Sequence, residues 1–227
     1  MSVQENISQI REQMAAACAR AGREPDSVQL VAVSKMHGWE SVIEAVECGQ
    51  KVFGESRVQE AIAKIPRCPG GLSWHMIGHL QTNKVRQVVQ YFDVIHSIDS
   101  LRLLEAVNQA AQQAGRTLKV LLEVNVSGES VKFGLKPEET PAVLEASNRL
   151  MNIELTGLMT MPPVSALAEG ARPHFRRLCE LRDEWRAATG IPLDELSMGM
   201  SHDFEVAIEE GATWIRVGTD IFGDRTK

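Results

Sequence analysis

The sequence predicts an α/β protein built as a single (β/α)8 TIM barrel. Eight short, apolar, β-prone runs recur along the 227 residues, and stretches with helical spacing alternate with them. No G-x-G-x-x-G opens a helix after a strand, and no G-x-x-x-x-G-K-[ST] occurs, which argues against the open sheets that bind dinucleotides or nucleoside triphosphates. A chain of this length suits one barrel, so a single domain over residues 1–227 is expected.

Val3, Ile7, Ile10, Met14 and Cys18 fall at steps of three and four, which predicts an opening amphipathic helix that stops near Gly22 and Pro25. The first strand is predicted at 30–33. It runs into Ser34 and Lys35, and helical spacing resumes over 39–46. Further strands are predicted at 52–54, 73–77, 92–96, 120–126, 153–158, 196–198 and 214–217. Helical patterns at 58–64, 101–114, 141–150, 175–188 and 204–210 lie between them. The loosest connection is 162–170, expected to be a mobile loop.

Composition removes several classes of function. A formal net charge of -6 gives no long-range attraction to nucleic acid or anionic lipid. No apolar stretch approaches the roughly 20 residues of a membrane-spanning helix. Residues 1–10 lack the basic and apolar regions of a signal peptide, and the four cysteines are scattered without a C-x-x-C pair. A reducing cytoplasm is the expected compartment.

In a barrel of this kind, chemistry gathers where the strands end, because the loops after them build the active face. Alternation along the first strand puts Val31, Val33 and Lys35 on one side, carrying the lysine into the barrel mouth. Partial desolvation there would lower its pKa and supply the neutral amine that forms an imine with an aldehyde. The same position also suits a lysine that snorkels to solvent. After the seventh strand, Ser197-Met198-Gly199-Met200-Ser201-His202-Asp203 offers a glycine for close backbone approach and a serine able to cap a helix starting near His202. Gly218-Thr219 follows the eighth strand. Two such loops can converge on one phosphate, or can be tight turns and helix caps.

Arg216 lies on the otherwise apolar run Trp214-Ile215-Arg216-Val217 and needs a partner if buried; a salt bridge to Glu55 or Glu123 would supply one. His75 and His79 stand four apart, but Met76 occupies the position where H-E-x-x-H needs glutamate, so His79 and Asn83 read as polar lining residues rather than metal ligands. Lys84, Arg86 and Lys132 read as solvated charges.

These stretches together resemble the YggS/PROSC family of pyridoxal phosphate homeostasis proteins. The matching residues are Val31-Ala32-Val33-Ser34-Lys35, Phe53-Gly54-Glu55, Trp74-His75, Ile77-Gly78-His79-Leu80-Gln81, Val124-Asn125-Val126-Ser127-Gly128-Glu129, Gly157-Leu158-Met159, Leu196-Ser197-Met198-Gly199-Met200-Ser201 and Arg216-Val217-Gly218. The resemblance spans nearly the whole chain. It implies a barrel like the alanine racemase N-terminal domain, of pyridoxal 5'-phosphate (PLP) fold type III without the second domain. Lys35 would carry the cofactor as a Schiff base, with Arg216 beside the pyridine nitrogen, and Ser201, Gly218 and Thr219 would grip the phosphate. Met200, Ser56 and His79 complete the expected cofactor-binding set. The implied role is to hold the reactive cofactor and deliver it to recipient apoenzymes, without racemase turnover. Ser56 stands where the family commonly has asparagine, and Met36-His37-Gly38 replaces the more usual Thr-Lys-Pro.

A two-base racemase of the alanine racemase type opposes its lysine with a tyrosine from a second domain. The sole tyrosine here, Tyr91, precedes the predicted fourth strand, on the face opposite the mouth. Two-base racemization is therefore hard to build here, and a carrier is expected; the rival reading is a Schiff-base aldolase or phosphosugar isomerase, with Glu55, His79 or Glu123 as its acid or base.

Overall fold

The computed structural model describes residues 2–129, 131–163 and 165–223. The elements run α1 Val3–Arg20, β1 Gln29–Val33, α2 Trp39–Glu47, β2 Val52–Glu55, α3 Val58–Lys64, β3 Ser73–Met76, α4 Val85–Tyr91, β4 Val94–Ile98 and α5 Leu101–Gln113. They continue with β5 Leu118–Glu123, α6 Thr140–Ser147, β6 Ile153–Met159, α7 Arg172–Thr189, β7 Glu195–Met200, α8 Phe204–Glu209, β8 Trp214–Val217 and α9 Thr219–Phe222. Each strand pairs in parallel with the next, and β8 pairs with β1, so the sheet closes into the eight-stranded barrel expected from the sequence.

The opening helix starts where its sequence dictates. Ser2 Oγ accepts from the Glu5 amide while the Glu5 carboxylate accepts from the Ser2 amide, a reciprocal cap that satisfies two otherwise orphaned donors. Its stripe Ile7, Ile10, Met14, Ala17 and Cys18 is buried, and the helix packs on α2, α8 and α9. Because α9 is a single turn, α1 occupies the outer-layer place beside the β8–β1 seam that a full helix after β8 would fill. Asn6 Nδ2 donates to the Ile221 carbonyl at 2.9 Å, and Arg20 pairs with Glu205 and Glu209, so the two ends of the fold are tied directly.

Several predicted boundaries move. The fourth strand was expected at 92–96 and is Val94–Ile98, because the residues before it are an unanticipated helix, α4, and a turn. Asp93 Oδ2 accepts from the Trp74 amide at 2.9 Å, which holds that turn against β3. The fifth strand was expected at 120–126 and ends at Glu123. Asn125 Oδ1 accepts from the Ser127 hydroxyl and the Gly128 amide, folding the chain back beyond Val124. Within 162–170 the structure describes the start of a short 3-10 helix, Ala168–Ala171, while position 164 lies outside the described residues.

The outer faces of the strands join the helices in one apolar core. The lumen is different. His96 on β4 reaches Ser197 on β7, and the His75 ring on β3 lies 4.9 Å from that of Trp214 on β8, contacts that only the barrel interior allows. Backbones approach closely between β6 and β7. A Cβ at Gly157 would stand 1.8 Å from the Glu195 carbonyl oxygen. Gly157→Ala should therefore cost about 3 kcal/mol by forcing the strands apart. A lowered urea midpoint would show this, and an unchanged midpoint would mean that this pairing yields easily.

Candidate functional site

Register decides what meets at the mouth. Val31 pairs with Arg216 and Ala32 with Val217, so the residues leaving β1 and β8 emerge side by side at the carboxyl ends of the strands. There a cavity of about 420 Å³ is lined by Lys35, Ser56, Met200, Ser201, Arg216, Gly218 and Thr219, with Val33, Ile77 and Met161 as apolar walls. Seven of the eight residues expected to bind a cofactor thus share one cavity. His79 does not. It lines the neighbouring hollow with Arg57 and Lys84, its Nδ1 stands 3.1 Å from Asp99 Oδ2, and its ring stacks on Phe133 at 3.9 Å. His75 faces the lumen instead, so the two histidines part company.

The Ser201 turn differs from its expected form. The helix begins at Phe204, without a side-chain cap, and Asp203 Oδ1 accepts from the Met200 amide at 2.7 Å. Gly199 adopts φ +90°, and a Cβ there would come within 2.6 Å of Ala207 Cβ, so this glycine serves the approach of α8 to β7. Ser201 stays on the cavity wall rather than at the helix start.

Beneath Lys35 lies a buried charge cluster that sequence reasoning missed. Ser34 Oγ donates to Glu55 Oε1 at 2.7 Å, and Lys64 Nζ donates to the same oxygen at 2.5 Å, to the Ser34 carbonyl at 2.7 Å and to Glu60 Oε1 at 3.2 Å. Glu60 also accepts from the Met36 amide. Met36 adopts φ +66°, a left-handed conformation that costs free energy for a side chain with a Cβ, so the loop carrying Lys35 is held by these contacts. Burial raises the Glu55 carboxyl above its ordinary range, with the Lys64 ammonium opposing. The signal was present: Lys64 follows Val58 and Ala61 at steps of three, on the buried stripe of α3.

Arg216 is 4% exposed, yet neither Glu55 nor Glu123 binds it. Its Nη1 donates to Ser197 Oγ at 2.5 Å and its Nη2 to the Thr160 carbonyl at 3.1 Å. Glu55 is held by Lys64 instead. Burial draws the guanidinium down to about 10, with Glu123 and Asp203 opposing from a distance. Burial also pushes the Glu123 carboxyl up to about 7, helped by Asp99 and opposed by Arg216. His75 is lowered to about 3 by burial and then by Lys119, and burial carries His96 well below its ordinary value, so both rings are neutral at pH 7.

A closed parallel barrel with a lysine leaving its first strand and a buried arginine on its last defines the structural class of the alanine racemase N-terminal domain. The family profile described as "Alanine racemase, N-terminal domain" matches residues 5–226. The pyridoxal phosphate homeostasis protein of Aquifex aeolicus is 44% identical over 226 residues, covering 99% of each chain. The structure of PipY from Synechococcus elongatus with PLP bound superposes with a TM-score of 0.87 at 38% identity, covering 98% of this chain and all of that one. Alanine racemase of Clostridium difficile shares the fold alone, at 16% identity and a TM-score of 0.71, over 57% of its length. The chain belongs to the family of pyridoxal phosphate homeostasis proteins.

Two outcomes follow from the buried charges. Lys64→Met should destabilise the protein by about 3–5 kcal/mol, because it leaves Glu55 buried without its cation. Chemical denaturation reads this, and a loss below about 1 kcal/mol would mean the cluster is hydrated. Glu123 binds its proton more tightly folded, about 7 against 4.5, so its contribution is present below pH 4.5 and is lost as pH rises through 7. The neutral histidines act oppositely, adding stability as pH rises toward 6.5. Comparison with Glu123→Gln cancels them: the stability of the wild type minus that of the variant should fall between pH 4.5 and 7 and then level off. A flat difference would show an ordinary carboxylate.

Proposed function

We propose that this chain binds pyridoxal 5'-phosphate through Lys35 at the barrel mouth, and that it holds and delivers the cofactor within the cytoplasm as part of PLP homeostasis. The observation that carries this reading is the meeting of an amine, a buried guanidinium and three hydroxyls in one cavity with apolar walls. The donor set fits the cofactor. The hydroxyls of Ser201 and Thr219, beside Gly218 on the same wall, suit a phosphate. Val33, Ile77 and Met161 suit the faces of an aromatic ring, and Arg216 suits its nitrogen. Ser56 lines the same cavity from just beyond β2 and supplies a shorter polar side chain than asparagine would.

When bound, PLP supplies an electrophilic aldehyde for a neutral amine. The chain's own part is to hold Lys35 at the mouth through the Ser34–Glu55–Lys64 cluster and to keep a cation, Arg216, at the ring nitrogen. An arginine there keeps that nitrogen unprotonated and the ring a weak electron sink, which favours storage over turnover. Tyr91 ends α4, before β4 and thus at the end of the barrel away from Lys35. Glu55 is engaged by Lys64 and His79 lies in another hollow, so neither of these two stands free beside the lysine. Residues 1–227 would act as one cofactor-binding domain, with recipient apoenzymes as partners.

The test is the visible absorption of protein mixed with PLP, then borohydride reduction and peptide mapping. A band with label on Lys35, lost in Lys35→Ala, is the expected outcome, together with no alanine racemization above that variant. Label spread over surface lysines would overturn the site, and Lys35-dependent racemization would overturn the carrier role.

A further inference from the structure

The lumen holds a row of polar side chains to which that reading gives no task. Arg216 Nη1 lies 2.5 Å from Ser197 Oγ, Ser197 Oγ lies 2.7 Å from His96 Nδ1, His96 Nε2 lies 2.9 Å from His75 Nδ1, and His75 Nε2 lies 3.1 Å from Ser73 Oγ. The row starts beneath the cavity and ends at the first residue of β3, toward the opposite end of the barrel. Ser197 and His96 are fully buried and His75 is 1% exposed.

Only one end of this row has a fixed polarity. A guanidinium donates and never accepts, so Ser197 Oγ must accept from Arg216. The single serine proton is then available to His96 Nδ1. A neutral His96 accepting at Nδ1 carries its hydrogen on Nε2, which faces His75 Nδ1. His75, accepting there, carries its hydrogen on Nε2 and donates to Ser73. Were His96 to donate from Nδ1 instead, Ser197 Oγ would accept twice and its own proton would have no acceptor in the row. Polar groups in a lumen cost free energy that apolar side chains would avoid, and this direction gives the Ser197 proton and both imidazole N–H groups an acceptor.

We propose that Ser197, His96 and His75 are positioning residues for Arg216: a one-directional hydrogen-bond row, both imidazoles held as Nε2–H tautomers, that fixes the guanidinium for its contact with the cofactor's ring nitrogen. The inference rests on the cofactor reading above, but its first test does not.

That first test is nitrogen NMR of the ligand-free protein with labelled histidine. Two neutral rings with protonated Nε2 and bare Nδ1 are expected, and the opposite tautomer at His96 would overturn the row. The second test compares binding of PLP with that of its 1-deaza analogue, in which CH replaces the ring nitrogen. His96→Leu should weaken PLP by about tenfold, the scale of one charge-assisted hydrogen bond, and leave the analogue unchanged. His96→Gln, whose amide accepts at one atom and donates at the other, should restore PLP binding. Equal weakening of both ligands, or of neither, would overturn the positioning role. Ser197→Ala repeats the comparison with a smaller change should the leucine variant fail to fold. If the wild type binds neither compound, the positioning role falls with the cofactor reading, and the tautomers alone decide whether the row exists.

Discussion

Closure of the barrel between β1 and β8 is the constraint on which the site rests. The chain leaves β1 early and reaches β8 only near its end, and the pairing Val31 with Arg216 puts the two exits next to each other. Lys35 then faces the Gly218–Thr219 turn across one cavity, and Ser201 joins from the adjacent strand. A slip of one residue in this pairing would turn Arg216 from the lumen to the apolar layer under the helices. The apolar packing of α1 beside the seam and the hydrogen bonds of the ladder therefore do more than stabilise the fold: they set the spacing of the chemistry.

The two buried cations near the mouth are matched in different ways. Lys64 is matched to Glu55 and to backbone and carboxylate oxygens around it, and the cost of burying the pair is offset by at least four directed contacts. Arg216 is matched differently, by a hydroxyl and a carbonyl rather than a carboxylate. A neutral pair of acceptors leaves its positive charge uncancelled, and that charge is felt by Glu123, Asp203 and His96 alike. Within one barrel, one buried cation is neutralised to hold a loop and another is left positive toward the cavity.

Much of this was legible in the chain. Alternating apolar runs gave all eight strands, because a parallel sheet buried on both faces reads as short continuous apolar segments. The cavity residues were legible because barrel chemistry sits at strand ends, which singled out Lys35, Ser201 and Gly218-Thr219 by position. Helix α4 was hidden by β-branched residues at 85, 88 and 89, and the end of β5 by an apolar run that continues through a turn. Lys64 and the partners of Arg216 were hidden for another reason. They depend on which side chains meet across the lumen or beneath a loop, and no local pattern encodes a contact between residues 96 and 197.

The place of α1 has a consequence in time. This helix precedes every strand of the barrel, yet the partners of its buried face include α8 and α9, which follow β7 and β8. Until β8 has been made there is no seam to cover, no neighbour for the Val31 edge of β1 and no Arg216 or Gly218–Thr219 wall for the cavity. The long sequence separation of these contacts makes closure a late step in folding. A partly synthesised chain would thus carry the lysine without the cavity, and competence to bind would arrive all at once, with the final strand.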